Sequence, residues 1–192
     1  MTAPISNELI SRAAERDPAA AEALLRAVRP GVVRYCRARL GRIGGAYTSA
    51  DDVAQEVCLA LLRALPRYRD LGRPFTAFVY GIAAHKVADA QRAAVRDSVV
   101  MPVESMADQL DAAPGPEQQA IVADLSRRLG VLLAQLPDVQ REIVTLRVAV
   151  GLTSDEVAEI IGMTAAAVRV AQSRALARLR TLAGKTLNEA AA

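Results

Sequence analysis

At 192 residues, with 52% hydrophobic side chains, 3% aromatics and no Trp, the chain can build one or two modest cores, and its Ala- and Leu-rich make-up favours helix. A net charge of +3 is too mildly basic to point to nucleic acid by itself. Two Cys and one His, far apart, exclude a zinc or redox motif built by spacing, so no metal and no cofactor is predicted.

Charge is unevenly spread. Residues 1–95 hold 14 basic and 9 acidic groups, residues 96–117 hold 1 and 5, and residues 118–192 hold 9 and 7. Two basic blocks flank an acidic segment. Asn7, Glu8, Arg12 and Glu15 interrupt any signal-peptide run, and no apolar stretch reaches bilayer length. The expectation is a soluble, cytoplasmic, all-α protein: two small helical domains (1–95 and 118–185) joined by a flexible acidic linker (96–117), with a tail at 186–192.

In chain order, Ser6 caps a first helix through Arg16, and Asp17-Pro18 stops it and starts another. Leu24, Leu25 and Val28 supply the buried stripe. Pro30 marks a kink or a new start, and Val32, Val33, Cys36 and Leu40 resume the stripe. Gly41 to Thr48 reads as a loop. Ser49 caps the next helix, with Asp51 and Asp52 in its dipole-favoured first turn. Val53, Val57, Ala60, Leu61 and Leu65 make its core face, leaving Asp52, Gln55, Glu56 and Arg63 outside, and Pro66 ends it.

Phe75 to Ala94 reads as one long helix carrying Phe75, Phe78 and Tyr80, with Phe78, Ile82 and His85 along one stripe. Two readings of its aromatics stand side by side. They fill a helical core, or they form a platform that stacks the bases of an opened strand. Periodicity is lost from Arg96 to Gln118, where Pro102, Pro114 and Pro116 alternate with carboxylates. Ile121, Leu125, Leu129, Leu132 and Leu133 then form an amphipathic stripe, and Pro137-Asp138 starts a helix containing Ile143, Val144, Leu146 and Val148.

Gly151 closes that helix, and Thr153-Ser154-Asp155-Glu156 opens the next with a capping box. Val157, Ile160 and Ile161 form its stripe, Gly162 ends it, and Thr164 caps a helix over Ala165–Leu182. Helix, Gly-containing turn, helix is the helix-turn-helix layout, whose second helix enters the major groove. From Ala165 to Lys185 there are five basic residues and no acidic one, whereas the preceding helix carries Asp155, Glu156 and Glu159. The alternative is an ordinary packing hairpin with solvated Arg residues. No Walker loop, metal-ligand cluster or nucleophile–base pair occurs, so no enzyme is predicted.

Three stretches in this order resemble the bacterial RNA polymerase sigma factors of the extracytoplasmic-function class: SADDVAQEVCLALLRALPRYR, FTAFVYGIAAHKVADAQRA and LPDVQREIVTLRVAVGLTSDEVAEIIGMTAAAVRVAQSRALARLR. The resemblance implies that Asp52, Val53, Gln55, Glu56 and Leu62 meet the clamp of the polymerase β′ subunit. It implies that Arg73, Phe75, Phe78, Tyr80, Lys86 and Arg92 contact DNA near the −10 element, and that Ala165, Ala166, Arg169, Val170, Ser173 and Arg174 contact the −35 element. The implied partners are core RNA polymerase, promoter DNA and an anti-sigma factor, with the free protein a monomer that spans no membrane. The chain departs from the family's recognition helix at Ala167-Val168-Arg169-Val170-Ala171-Gln172, where Gln172 replaces an expected core apolar residue. A stand-alone helix-turn-helix regulator of duplex DNA is the competing function, and its dimerisation or ligand-sensing domain has no counterpart in the N-terminal half.

Overall fold

A computed structural model of the protein describes residues 5–40, 50–98, 124–125 and 128–190, all without strands. The linker expected at 96–117, the Ser49 cap and the loop from Gly41 to Thr48 lie almost wholly outside these residues.

The helices are α1 (Asn7–Ala14), α2 (Pro18–Leu40), α3 (Ala50–Ala64), α4 (Phe75–Ser98), α5 (Asp138–Val144), α6 (Ser154–Ile161) and α7 (Ala165–Ala190). Residues 128–134 are helical too. Local capping chemistry sets most boundaries. Ser6 accepts the Leu9 amide at 3.2 Å to start α1. Asp17 Oδ1 accepts the amides of Ala19 and Ala20 at 2.9 and 3.2 Å, while Oδ2 takes two bonds from Arg12. That pairing holds the Asp17 carboxyl below its usual range, the Arg12 hydrogen bond contributing most. Pro30 sits inside α2 rather than dividing it. Pro66 lies in a short 3-10 turn, Leu65–Arg67, that ends α3.

α1–α4 pack around Leu24, Val32, Tyr35, Cys36, Val57, Leu61, Val79 and Val87. This core does not stop at the first four helices. Ile143, Leu146, Leu152, Val157 and Val168 belong to the same apolar cluster, so the C-terminal helices are packed on the N-terminal ones. A satellite cluster of Leu136, Val144 and Ala175 ties α5 to α7.

The helix expected after Pro137 changes pitch part-way. α5 gives way to a π-helical stretch, Thr145–Val150, closed by Gly151 at φ 91°, with the amides of Gly151 and Leu152 both donating to Leu146 O. α7 runs past Leu182 to Ala190. Of the amphipathic stripe expected from Ile121 to Leu133, Leu125 and Leu129 are exposed, with Val131 beside them, while Leu133 packs inward next to Leu136. His85 is also exposed, its Nδ1 2.7 Å from Gly81 O, and does not share the core stripe. Among the described residues no helix is long and apolar enough to cross a membrane, and no cluster fit for a metal ion occurs.

Candidate nucleic-acid interface

The C-terminal hairpin is built as its capping residues dictate. Thr153 Oγ1 accepts the Glu156 amide at 3.2 Å, and Glu156 Oε2 accepts the Thr153 amide at 2.9 Å, closing a capping box at the start of α6. Gly162 ends α6 at φ 76°, and Thr164 Oγ1 accepts the Ala167 amide at 3.2 Å to begin α7. Val157 and Val168 are buried against the shared core, which fixes the angle at which α7 leaves the turn.

The side of α7 turned away from that core carries Ala166, Arg169, Val170, Ser173, Arg174 and Arg178, all exposed. Three guanidinium groups thus stand on the solvent-facing side of α7, Arg174 and Arg178 toward one edge and Arg169 toward the other, where they can serve phosphate neutralisation and Arg readout of guanine. Ala165 is half-buried and packs on the core, so it sits at the margin of this face. Gln172 is half-buried rather than orphaned: its Oε1 accepts a bond from Arg147 Nε at 3.0 Å, and Arg147 Nη1 also bonds Leu152 O. One guanidinium therefore fastens the second helix to the end of the π-helical stretch.

On α3, Asp52, Gln55 and Glu56 are exposed and Leu62 is half-buried, while Leu59, next to this face, is 45% exposed. Val53, expected to meet a partner, is 2% exposed and belongs to the core. Its position follows from the spacing of Val53, Val57 and Leu61, which share one helical stripe. Glu56 reaches across to α4, where Lys86 Nζ lies 3.1 Å from its Oε2. Arg37 on α2 makes a two-pronged pair with Asp51 at 2.9 and 2.6 Å.

In this conformation the aromatics of α4 lie in or beside the core. Phe75 and Tyr80 are buried, at 8% and 5% exposure, and Phe78 is half-buried. Phe75 and Phe78 form a cluster with Tyr68, with ring centroids 5.0–5.9 Å apart. Tyr80 stacks obliquely on Tyr35 at 5.5 Å, over Gly31. Burial raises the pKa of both tyrosine hydroxyls, helped at Tyr35 by the Glu142 carboxylate. Of the charged −10 candidates Arg73 and Arg92 are exposed and Lys86 is half-buried, and each is paired: Arg73 with Glu159 of α6, Lys86 with Glu56, and Arg92 with Asp89.

The two halves meet through polar groups that sequence reasoning missed. Tyr35 Oη donates to Glu142 Oε1 at 2.7 Å, and Arg39 Nε lies 3.1 Å from Glu142 Oε2. Arg34 Nε donates to Ala149 O at 2.8 Å. Arg73 Nη2 donates to Glu159 O, and Thr76 Oγ1 to Glu156 Oε1 at 3.4 Å. Pairs more than 70 positions apart leave no periodic signal. Gln172, a polar residue at a core position, called for a partner, but that partner is Arg147 of the same half and gave no hint of these contacts.

The sequence matches Sigma-70 region 2 over residues 24–97 and Sigma-70 region 4 over residues 126–179. It is 56% identical over 172 residues to the ECF RNA polymerase sigma factor SigD of Mycobacterium tuberculosis, covering 90% of this chain and 81% of that protein. The chain belongs to the extracytoplasmic-function sigma factors. It is a sigma factor directing transcription initiation. The ECF RNA polymerase sigma factor ShbA of Streptomyces griseus is 52% identical over 178 residues, covering 91% of this chain and 93% of that one. The fold is shared with CnrH, solved in complex with the cytosolic domain of CnrY, at TM-score 0.65 and 24% identity over 92% of this chain and 96% of that one. It is shared as well with RpoE, solved with the anti-sigma factor NepR from Bartonella quintana, at TM-score 0.59 and 18% identity over 85% of this chain and 96% of that one. Region 2 thus comprises most of α2 with α3 and α4, and region 4 comprises α5, α6 and the first half of α7. A stand-alone regulator is not favoured, because the N-terminal half is itself a sigma region.

Proposed function

We propose that this sigma factor works in the cytoplasm as a two-handed promoter grip. The exposed face of α3, with Asp52, Gln55 and Glu56 flanked by Leu62, docks on the β′ clamp of core RNA polymerase. α4 and the segment before it, through Arg73, Lys86, Arg92 and Phe78, meet the −10 element as it opens. α7 lies in the major groove at the −35 element, with Arg169 and Arg174 toward base edges and Arg178 toward phosphate. Melting draws on the binding of displaced bases, with no nucleotide hydrolysis by this chain. An anti-sigma factor, as NepR is named in its complex with RpoE, is the partner that holds it in reserve.

The observation that carries this reading is the solvent-facing side of α7, which bears Arg169, Arg174 and Arg178 and no acidic residue, in a helix-turn-helix whose inward side is packed in the core. Run-off transcription with purified core polymerase and a promoter library tests it. Specific transcripts are expected, and Arg169→Ala or Arg174→Ala should lower promoter use by about 1–3 kcal/mol for each lost two-pronged base contact. Failure to associate with core polymerase would sink the reading. An unchanged promoter preference after both substitutions would place the DNA on another face.

A further inference from the structure

The outward side of α7 is ordered across its width as well as along its length. At about 3.6 residues per turn, Ala166, Val170, Ser173 and Ala177 fall on one line down the helix, and all four are exposed. Arg174 and Arg178 stand along one edge of that line, Arg169 and Arg180 along the other, and these too are exposed. None of the four guanidinium groups has an ion-pair or hydrogen-bond partner among the described residues. The helix thus presents a central strip of small side chains between two basic edges.

That cross-section matches a major groove. A helix with its side chains is about 10–12 Å across and the groove is about 12 Å wide, with a phosphate strand on either side. Basic groups at the two edges meet the two strands, and the strip between them faces the bases. Short side chains in the strip let the helix axis come close to the base edges. From Ala166 to Ser173 the helix rises about 10 Å, the length of about three base-pair steps.

Val170 is the anomaly in the strip. It is 50% exposed and belongs to neither apolar cluster of the fold. Folding gives no reason for it, because a β-branched side chain loses rotamer freedom in a helix, and Ala, which surrounds it at 165–167, 171, 175 and 177, is the better helix former. A lone exposed apolar side chain is ordinary on a protein surface. One framed by four unpaired guanidinium groups is placed for an apolar feature set among negative charges. The major groove offers one such feature, the C5 methyl group of thymine, which small apolar side chains contact. The same four charges weigh against an apolar protein partner on this strip.

We infer that Val170, with Ala166 one turn before it, reads the methyl group of a thymine in the −35 duplex. Arg169 and Arg174 reach neighbouring base edges on its two sides, and Arg178 and Arg180 meet opposite phosphate strands. The inference deepens the proposed function and rests on it, since α7 must lie in the −35 groove for Val170 to meet a base. Burying one methyl group in this way is worth about fourfold in affinity.

The test uses holoenzyme assembled from the full chain and core polymerase. Duplex fragments are selected from a library randomised over the −35 element. In the tightest of them each thymine is replaced singly by deoxyuridine, which keeps every hydrogen-bonding group and lacks the methyl. At one thymine the replacement should weaken binding about fourfold. Val170→Ala, at an exposed position where Ala suits the helix, should lose a similar factor on the thymine fragment and bind both fragments alike. An element without thymine, or one with no position sensitive to deoxyuridine, would overturn the inference and leave −35 reading in place. Thymine preference that persists in Val170→Ala would overturn the role of Val170. Val170→Ala holoenzyme that discriminates as before but assembles poorly would make the strip a protein-docking surface instead. Recovery of no preferred fragment would overturn the −35 reading itself, and the inference with it.

Discussion

Replacing Gly31 with Ala sets two known effects against each other. Within a helix interior, Gly→Ala gains about 1 kcal/mol in backbone propensity. Here, however, the new Cβ would lie 2.4 Å from Tyr80 Oη, so the ring must retreat to reach ordinary contact. Tyr80 is not free to do so. It is buried, its ring rests on Tyr35 at 5.5 Å, and Tyr35 is tied to Glu142. Overpacking of this kind costs about 1–3 kcal/mol. The steric term wins, and a net loss of about 1 kcal/mol is expected, or ~2–4 °C in Tm for a chain of this size. Urea titration of four proteins, native, Gly31→Ala, Tyr80→Phe and the double variant, isolates the cause. With the hydroxyl removed, Gly31→Ala should become stabilising by up to about 1 kcal/mol. If the Ala substitution has the same effect in both backgrounds, or stabilises the native chain, Tyr80 does not rest on Gly31 and the packing argument fails.

Thr153→Ala removes the hydroxyl half of the capping box and should cost about 1 kcal/mol, read as a lower urea midpoint and recovered by Thr153→Ser. Burial pushes the Cys36 thiol from 9.0 up to about 12, and Tyr35 and Tyr80 are raised in the same direction. The folded chain therefore keeps protons that the unfolded chain releases. That stability is whole below pH 9 and is lost as pH rises toward 12. Cys36→Ala should flatten the fall between pH 9 and 10 in an alkaline denaturation series; an unaltered slope would acquit the thiol. Native-state labelling with a thiol reagent should modify half-buried Cys58 well before Cys36. Arg178→Ala should weaken binding of −35 duplexes of any sequence and reduce the salt slope by about 0.9 per lost phosphate contact, whereas a sequence-dependent effect would make Arg178 a base reader.

Local chemistry was legible in the sequence wherever a few neighbouring residues decide it. Ser6, Asp17, Thr153, Gly162 and Thr164 each act within four residues of themselves, and each caps or closes a helix as its side chain dictates. The exposed polar face of α3 and the division of α7 into an apolar inward side and a basic outward side follow from helical spacing alone. Burial across the two halves did not follow, because periodicity shows which stripe of a helix is apolar but not how many surfaces the helix must satisfy. α4 packs on α2 and α3 and also on α6, so Phe75 and Tyr80 are covered from more than one side. Leu125 and Leu129 lie on the opposite outcome, an apolar stripe left exposed here. Gln172 departs from the family at a core position, yet Arg147 supplies what it lacks. Compensation between positions 25 apart is invisible to pattern and plain in space.

The division of labour around α7 bears on how such a protein can diversify. Its inward side is pinned by Val168, Ala175 and the Arg147–Gln172 bond, so substitutions there disturb packing. Its outward side, from Ala166 through Val170 and Ser173 to Arg178, is exposed and can change at little thermodynamic cost. With α7 reading the −35 element as proposed, selection, or a designer, can retune which genes are switched on by varying a handful of solvent-facing positions. Duplicated copies of such a gene would part company in their target sets long before they differed in architecture.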